Sequence, residues 1–235
     1  MMNRQGTWRQ AIGSLTLSVL VLLTFRWLVF EPYVIPSGSM LPTLKILDFI
    51  YVNKFAYGVR IPFSSHWLFQ RDLPKRCDIV VFRSQTEPDT FLIKRVIGLP
   101  GERIELLQSG RIRIGDQPLA TEFLSEDETY ARYAESCQGD RRHMIRLHRD
   151  LKDLAVDPVI YSTIVPEGQL AMFGDNRHES ADSRAWGTLP REDLLGEALG
   201  IWLSCEKSLP GMPRLCDPSS IRFERIFHGF DEVAK

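Results

Sequence analysis

The sequence predicts a mainly β protein: an antiparallel β-sheet catalytic domain with an inserted subdomain, preceded by one N-terminal transmembrane helix. A single long apolar run, at residues 11–30, predicts the helix. After Glu31 the pattern changes to short runs of strand-forming residues that Gly and Pro separate, without a sustained helical period. Turn formers at 99–101 and 109–110 stand between neighbouring runs, as in antiparallel hairpins.

The apolar run reads AIGSLTLSVLVLLTFRWLVF, close to the length of about 20 residues that crosses a bilayer's hydrocarbon core. Arg26 is its only charge and lies near one end, where the side chain can reach the headgroups. Arg4 and Arg9 precede the run without any acid, which favours a cytoplasmic N-terminus. The expected organisation is a cytoplasmic tail, a membrane anchor and an exported domain, at 1–10, 11–30 and 31–235.

Two other interpretations of the N-terminal run compete with the anchor. A cleavable signal peptide fits the basic start and the apolar run, but it requires a small-x-small cleavage site afterwards. The segment that follows, RWLVFEPYVIP, is bulky and contains proline instead. A buried core helix is the second alternative. The sequence favours the anchor over both.

Six runs in the exported part have the composition of strands, rich in β-branched and aromatic residues. They are residues 49–53, 78–83, 91–97, 103–108, 111–114 and 170–173. At about 119–157 the composition changes to charged and helix-tolerant residues, which predicts an insertion or subdomain. Its basic residues offer a contact for anionic lipid, although a charge run is more often a solvated face. They are Arg141, Arg142, His143, Arg146, His148, Arg149 and Lys152.

Charge and cysteine usage argue against two classes of function. The formal net charge of −1 gives no basic field that would attract a phosphate backbone, so no nucleic-acid partner is expected. The four cysteines form no C-x-x-C pair and no histidine stands at metal-ligand spacing from them, so no metal and no other cofactor are expected. Cys205 and Cys216 bracket a short loop with two prolines, for which a disulfide and two free thiols both remain open.

Ser37 and Ser39 lie in the segment PSGSMLPTL, where prolines on both sides stiffen a loop that exposes hydroxyls. A catalytic serine needs a base, and the five histidines lie in no recognisable triad context. Lys94 is a candidate base because its strand is apolar on both faces, with Leu92 and Val96 on its own side. Burial there would lower the pKa of the amine, as a lysine general base requires. A lysine whose stem packs while its amine reaches water remains the alternative.

A third segment, GDNRHESADSRAWG at 174–187, concentrates turn formers, carboxylates, arginines and serines after a strand. Asp182 with Arg184, or Asp175 with either arginine of the segment, would form a charge-assisted pair that fixes the loop. By composition alone, an ordinary surface turn is an equally good interpretation.

The segments PSGSMLPTL, KRCDIVVF, IKRVIGLPGE and GDNRHESADSRAWG, in this order behind an apolar span, resemble the boxes of bacterial type I signal peptidases. The resemblance extends from the end of the anchor to about Trp202. It implies a membrane-bound serine endopeptidase that removes N-terminal signal peptides from exported preproteins. It also implies a single-pass protein of the bacterial inner membrane with its catalytic domain on the periplasmic side.

The same resemblance implies roles for individual residues. Ser39 would be the nucleophile and Lys94 the general base, with Ser180 hydrogen-bonded to the lysine. The Ser37 hydroxyl would join the Ser39 amide in an oxyanion hole. The residues that match positions supporting this loop are Asp175, Asp182 and Arg184. Two departures from the family pattern occur: His178-Glu179 stands where Asp-Asn is usual, and Cys77 replaces a glycine.

The expected partners follow from the anchor and the family. They are the bilayer, the secretion machinery by proximity, and preprotein signal peptides with small residues before the cut. Ser39 follows the apolar run so closely that it stays within roughly 30 Å of the bilayer at about 3.3 Å per residue. A substrate strand alongside Tyr33, Val34 and Ile35 is the expected binding mode.

Two rival functions are weaker on the same residues. A self-cleaving repressor-type Ser–Lys protein would need a DNA-binding domain, and an apolar span occupies the N-terminus instead. A catalytically dead membrane-anchored binder would lack a residue of the dyad, and both residues are present. Processing of exported proteins in general and service to one dedicated secretion system both remain open.

Overall fold

The computed structural model describes residues 8–61, 66–87, 89–137 and 139–230, without the side chains of 23–30 and 60. The first element is helix α1 at Trp8–Val29, which continues directly into a strand at Phe30. Among the described residues, no helix is both long enough and apolar enough to span a membrane. Most of the tail expected at 1–10 lies outside the described residues.

Strands dominate the regular structure of the described chain. In chain order they are β1 Phe30–Val34, β2 Asp48–Asn53, β3 Gly58–Arg60, β4 Trp67–Gln70, β5 Ile79–Arg83, β6 Phe91–Gly98, β7 Arg103–Leu107, β8 Ile112–Ile114, β9 Gln117–Pro118, β10 Thr121–Glu126, β11 Tyr130–Ser136, β12 Arg142–His148, β13 Val159–Ile164, β14 Gln169–Phe173, β15 Leu189–Pro190, β16 Leu194–Ser204, β17 Ser208–Leu209 and β18 Met212–Cys216. A short helix, α2, is Ser183–Trp186, and 3₁₀ turns occur at Arg149–Leu151, Arg177–Glu179, Arg191–Asp193, Pro218–Ser220 and Phe223–Arg225. The six strands expected from the sequence are confirmed as β2, β5, β6, β7, β8 and β14, each within one residue at either end.

The largest sheet is antiparallel throughout and has the order β1-β2-β16-β5-β6-β14-β15. Both of its faces are covered, because successive residues of a strand point to opposite faces and both sets are buried. On β5, Val80 and Val81 pack in different apolar clusters, and on β6 the same holds for Val96 and Ile93. The strand that carries Lys94 is therefore apolar on both sides, as the sequence predicts.

Smaller antiparallel sheets complete the fold. One has four strands in the order β13-β7-β8-β9, one has three in the order β10-β11-β12, and β3-β4 and β17-β18 form two-stranded pairs. The two expected turns are present, with Gly101 at φ 82° and Gly110 at φ 87°. Glycine adopts this left-handed backbone region without steric strain.

The region 119–157, which the sequence predicts to be an insertion, is a β structure, although its composition is helix-tolerant. It contains the sheet β10-β11-β12 and one 3₁₀ turn. In β12 the buried positions alternate, with His143, Ile145 and Leu147 facing inward and the partly buried Met144 and Arg146 between them. Each of the basic residues of this region lies within 4 Å of a carboxylate. These pairs join Arg141 to Asp78, Arg142 to Glu122, His143 to Glu135, Arg146 and His148 to Glu179, and Arg149 and Lys152 to Glu126.

All four cysteines are in disulfides. Cys205 is bonded to Cys216, which decides between the two states that the sequence left open. Cys77 is bonded to Cys137 across a sequence separation of 60 residues, a pairing that sequence spacing did not predict. Cys77 has φ 74°, so the backbone keeps a glycine-like conformation at the position where the resemblance expects glycine.

Candidate active site

The loop that carries Ser39 connects β1 to β2. Met40 and Leu44 are fully buried and anchor it, while Ser39 is half-buried and Ser37 is exposed. The backbone closes on itself by hydrogen bonds from Leu41 N to Gly38 O and from Leu44 N to Met40 O. The apolar anchors therefore hold in place the turn that carries Ser37 and Ser39.

Lys94 lies opposite Val80 in the β5–β6 ladder and is only 3% exposed. Its Nζ donates to Ser39 Oγ at 2.7 Å and to Ile93 O at 2.9 Å. Burial lowers the pKa of this amine to about 8, although Asp182 and Asp175 act in the opposite direction. A lysine amine that loses its charge near neutral pH and touches a hydroxyl can accept the proton of that hydroxyl.

The Ser37 hydroxyl lies 3.5 Å from Ser39 Oγ, so the two hydroxyls of the segment are neighbours. The hydrogen bond expected between Ser180 and Lys94 is not formed. Ser180 Oγ is buried and has no hydrogen-bond partner among the described residues. It packs beside Gly174, where an added Cβ would lie 2.2 Å from Ser180 Oγ and 2.5 Å from Ser39 O. Gly174 therefore allows the two serine-bearing loops to meet, a role that a glycine just after a strand can signal.

The loop after β14 is fixed by two buried carboxylates. Asp182 forms the predicted pair with Arg184, whose Nε and Nη2 each donate at 2.7 Å. Asp182 also accepts from Gly174 N at 3.1 Å. Asp175 pairs with neither arginine of its own segment. Its partner is Arg95 of β6, which donates through Nε at 2.8 Å and Nη2 at 2.7 Å.

A second buried ion pair lies next to the first one. Arg177 pairs with Glu135 of β11, which also lies 3.3 Å from His143 Nε2. Burial alone would raise the pKa of Glu135, but the charge of Arg177 and the contact with His143 hold it at about 2. Burial lowers the pKa of His143, and the nearby positive charge of Arg95 lowers it further. Sequence reasoning did not find Arg95, Glu135 or His143 because their partners come from distant strands.

Among the residues that the structure describes, one group of side chains has ligand atoms close enough for a metal. The sulfurs of Cys77 and Cys137 and a ring nitrogen of His143 lie within 4.8 Å of one another. His143 Nδ1 is 3.1 Å from Cys137 Sγ, a proximity that spacing along the sequence did not reveal. The sulfurs are bonded to each other, however, and thiolates are what bind metals.

The segment expected to meet the substrate lies at one edge of the largest sheet. In β1, Tyr33 pairs with Ile50 and Val34 with Phe49, and the Tyr33 ring contacts Phe91 at 5.8 Å. Ile35 is only 2% exposed and belongs to the core, so its side chain does not face a substrate. The accessible part of the expected surface is reduced to Tyr33 and Val34.

Comparison with known proteins identifies a family for this chain. Residues 8–203 match the family described as signal peptidase, peptidase S26. The chain belongs to this family. Signal peptidase I of Pseudomonas aeruginosa is 36% identical over 198 residues, which cover 78% of this chain and 68% of that protein. Signal peptidase I of Rickettsia typhi is 34% identical over 226 residues, which cover 86% of this chain and 85% of the relative.

A solved structure of a signal peptidase I from Enterococcus faecalis is 27% identical, covers 54% of this chain and 97% of that chain, and has a TM-score of 0.33. The family assignment confirms the resemblance found in the sequence motifs. This member of the signal peptidase family is thus a hydrolase of the peptidase class.

Proposed function

We propose that this signal peptidase removes signal peptides from preproteins by a Ser–Lys dyad, with Ser39 as nucleophile and Lys94 as general base. The observation that carries the proposal is the 2.7 Å hydrogen bond between Lys94 Nζ and Ser39 Oγ. The lowered pKa of Lys94, about 8, supports it because a base must be neutral before it can take a proton.

The reaction then runs in two halves. Neutral Lys94 takes the proton of the Ser39 hydroxyl while Oγ bonds to the scissile carbonyl carbon, and the carbonyl oxygen becomes an oxyanion. The Ser39 amide and the Ser37 hydroxyl donate to this oxyanion, and one such donor is typically worth about 3 kcal/mol in the transition state. The Lys94 ammonium returns the proton to the leaving amine. Water attacks the acyl-enzyme in the same way and releases Ser39.

Ser180 is proposed to orient Lys94 during this cycle. Its buried hydroxyl lacks a partner among the described residues, and such a group typically costs about 1–3 kcal/mol. A hydrogen bond to the Lys94 amine would offset that cost once Ser39 engages the substrate. Asp175, Asp182 and Arg184 hold the surrounding loop by the ion pairs described above.

The substrate is proposed to bind as an extended strand beside Tyr33 and Val34 at the edge strand β1, with small side chains before the cut. We also propose that residues 11–30 anchor the enzyme in the bacterial inner membrane and place 31–235 on the periplasmic side. At about 1.5 Å per residue, a helix of the length of α1 is comparable to a bilayer core of about 30 Å. Lipid and the secretion machinery would then lie close to the site. We also propose that 119–157 is an insertion in the catalytic domain.

Incubation of the detergent-solubilised protein with a preprotein, followed by mass mapping of the product, tests the activity. The expected result is one cut after a small residue, which Ser39→Ala abolishes. Cleavage at the same bond by Ser39→Ala would contradict the proposal. Protease added to spheroplasts tests the topology separately, because an exported domain should be degraded and a cytoplasmic one protected.

A further inference from the structure

Asn176 connects the nucleophile loop to the sheet β10-β11-β12. Its side chain is 1% exposed, and its Nδ2 donates to Gly38 O at 3.0 Å and to Glu179 Oε2 at 2.9 Å. Its Oδ1 accepts from Arg146 Nε at 3.0 Å. Its backbone N–H donates to Ser39 O at 3.1 Å. Asn176 therefore holds two successive backbone carbonyls of the nucleophile loop, those of Gly38 and Ser39.

The hydrogen bond to Gly38 O has a consequence for the Ser39 N–H. The Gly38 carbonyl and the Ser39 amide belong to one planar trans peptide, so their bonds point in opposite directions. When Nδ2 of Asn176 fixes the direction of the carbonyl, it also fixes the direction of the N–H. That N–H is the backbone donor of the proposed oxyanion hole.

The Asn176 amide is itself fixed by groups of the three-stranded sheet. The Tyr130 hydroxyl donates to Glu179, and Arg146 Nη2 donates to the same carboxylate at 2.9 Å. The Arg146 guanidinium lies 3.8 Å from the centre of the Tyr130 ring. Hydrogen bonds from Tyr130 and Asn176 hold the pKa of Glu179 at about 2. An ionised carboxylate beside Nδ2 and a cation beside Oδ1 allow only one orientation of the amide.

We propose that Asn176 is a positioning residue for the oxyanion hole, and that Tyr130, Arg146 and Glu179 hold its amide toward Gly38 O. This proposal rests on the proposed serine mechanism and deepens it. It also gives the insertion a role in the reaction, because Tyr130 and Arg146 belong to it. Glu179 stands where the family usually has Asn, so the carboxylate that completes this cluster is a feature of this chain.

The decisive variant is Asn176→Ala, measured with a peptide substrate and with a peptide aldehyde whose adduct imitates the tetrahedral intermediate. We expect kcat to fall about tenfold to a hundredfold, less than the loss of about 10²–10³ when an oxyanion donor is deleted outright. KM should change less than about threefold, because the interaction operates in the transition state. Aldehyde affinity should fall by the same factor as kcat.

Tyr130→Phe and Glu179→Ala test the cluster around the amide. Each should lower kcat severalfold in wild type and add little in an Asn176→Ala background, since they act through that side chain. The acid limb of the pH profile should keep its pKa in Tyr130→Phe, because the contacts of Lys94 are untouched. Arg142→Ala removes an exposed ion pair of the same sheet and is the matched control, with unchanged kcat.

The outcomes separate this inference from the proposed function. If wild type cleaves and Ser39→Ala does not, but folded Asn176→Ala keeps its kcat and aldehyde affinity, the positioning role is wrong and the dyad stands. If Ser39→Ala still cleaves, the dyad itself fails. If Asn176→Ala does not fold, Tyr130→Phe and Glu179→Ala decide, and unchanged kcat in both would overturn the positioning role.

Discussion

The two sides of strand β6 bury a positive charge in opposite ways. Lys94 and Arg95 are neighbours, 3% and 1% exposed, and point to opposite faces. Arg95 meets the carboxylate of Asp175 through two hydrogen bonds. The Lys94 amine donates to a hydroxyl and a carbonyl, and within the described residues it forms no ion pair. At similar burial, Arg95 therefore has a carboxylate in direct contact and Lys94 has none in the described part of the chain.

The difference teaches what distinguishes a structural cation from a candidate base. Burial disfavours a charge on both sides. A guanidinium stays protonated at any usable pH, so the buried charge of Arg95 needs a carboxylate partner, whereas the Lys94 amine can lose its proton. Burial alone would raise the pKa of Asp175, but Arg95 more than offsets this and the carboxyl stays ionised. Burial lowers the pKa of Lys94 to about 8 because Asp182 and Asp175 act without direct contact.

Lys94→Arg would place a guanidinium on both faces of β6, and it should have the largest effect on cleavage. A guanidinium stays protonated at any usable pH and cannot accept the Ser39 proton. We expect cleavage to fall by on the order of 10⁴-fold or more, as for other members of a catalytic unit. Combining Lys94→Ala with Ser39→Ala should add little to either change. Near wild-type cleavage of a preprotein by Lys94→Arg at neutral pH would refute the dyad.

Asp175→Ala should remove the buried ion pair with Arg95, on the face of β6 opposite Lys94. It leaves the buried guanidinium of Arg95 without its carboxylate, and loss of one partner of a buried pair typically costs about 3–5 kcal/mol. Urea unfolding should show this loss in the free energy of unfolding. A loss below about 1 kcal/mol, the value of an exposed pair, would mean that the pair contributes little.

Lys94→Met should separate stability from activity. The pKa of Lys94 lies at about 8 in the folded chain against an ordinary 10.5. The unfolded chain therefore binds more protons between these values, so wild-type stability rises with pH across that window and carries the full penalty below it. This difference in pKa between the folded and the unfolded chain lowers the free energy of unfolding by roughly 3 kcal/mol at neutral pH. Lys94→Met should be inactive, more stable than wild type by up to that amount at pH 7, and lose this pH dependence.

The pH profile of cleavage should report the same amine. At subsaturating substrate the rate should rise about tenfold per pH unit on the acid side and level off near pH 8, where Lys94 loses its proton. A histidine-modifying reagent should leave the profile largely unchanged. An acid limb that levels off near the ordinary histidine value of about 6.5 would point to a different base.

Arg142→Ala should have the smallest effect on stability, because it removes an exposed ion pair rather than a buried one. Arg142 pairs with Glu122 on the surface of the three-stranded sheet, with side chains 52% and 65% exposed. Exposed pairs contribute about 0.2–1 kcal/mol, and salt screens them. A loss of more than about 2 kcal/mol in urea unfolding would show that exposure is a poor guide to the strength of this pair.

Local sequence was sufficient for six of the strands, and it pointed to Ser39 and Lys94 as candidates. β-Branched runs and turn glycines placed six strands, and the apolar neighbours of Lys94 indicated its environment. The partners of the charged residues were not predictable in this way. Asp175 had two arginines within its own segment, yet it pairs with Arg95, because β6 and β14 are adjacent in the sheet.

The other features that the sequence did not predict depend on contacts between residues far apart in the sequence. The partners Cys77 and Cys137 lie 60 residues apart, and no spacing rule reaches that far. Asn176 meets Gly38 at a separation of 138 residues. The sheet β10-β11-β12 was hidden because many of its strand positions are charged or polar, and β10 has no buried position to mark a strand period.

The position of β16 has a consequence for when the enzyme can first act. β16 lies between β2 and β5, so it joins the pair β1–β2, whose connecting loop carries Ser39, to the hairpin β5–β6, which carries Lys94. It is also the last strand of this sheet to be synthesised. A growing chain that has not reached Leu194 holds Ser39 and Lys94, the proposed dyad, without the strand that lies between their strand pairs in the finished sheet. Under the proposed mechanism, the active site would therefore be completed only after β16 is synthesised.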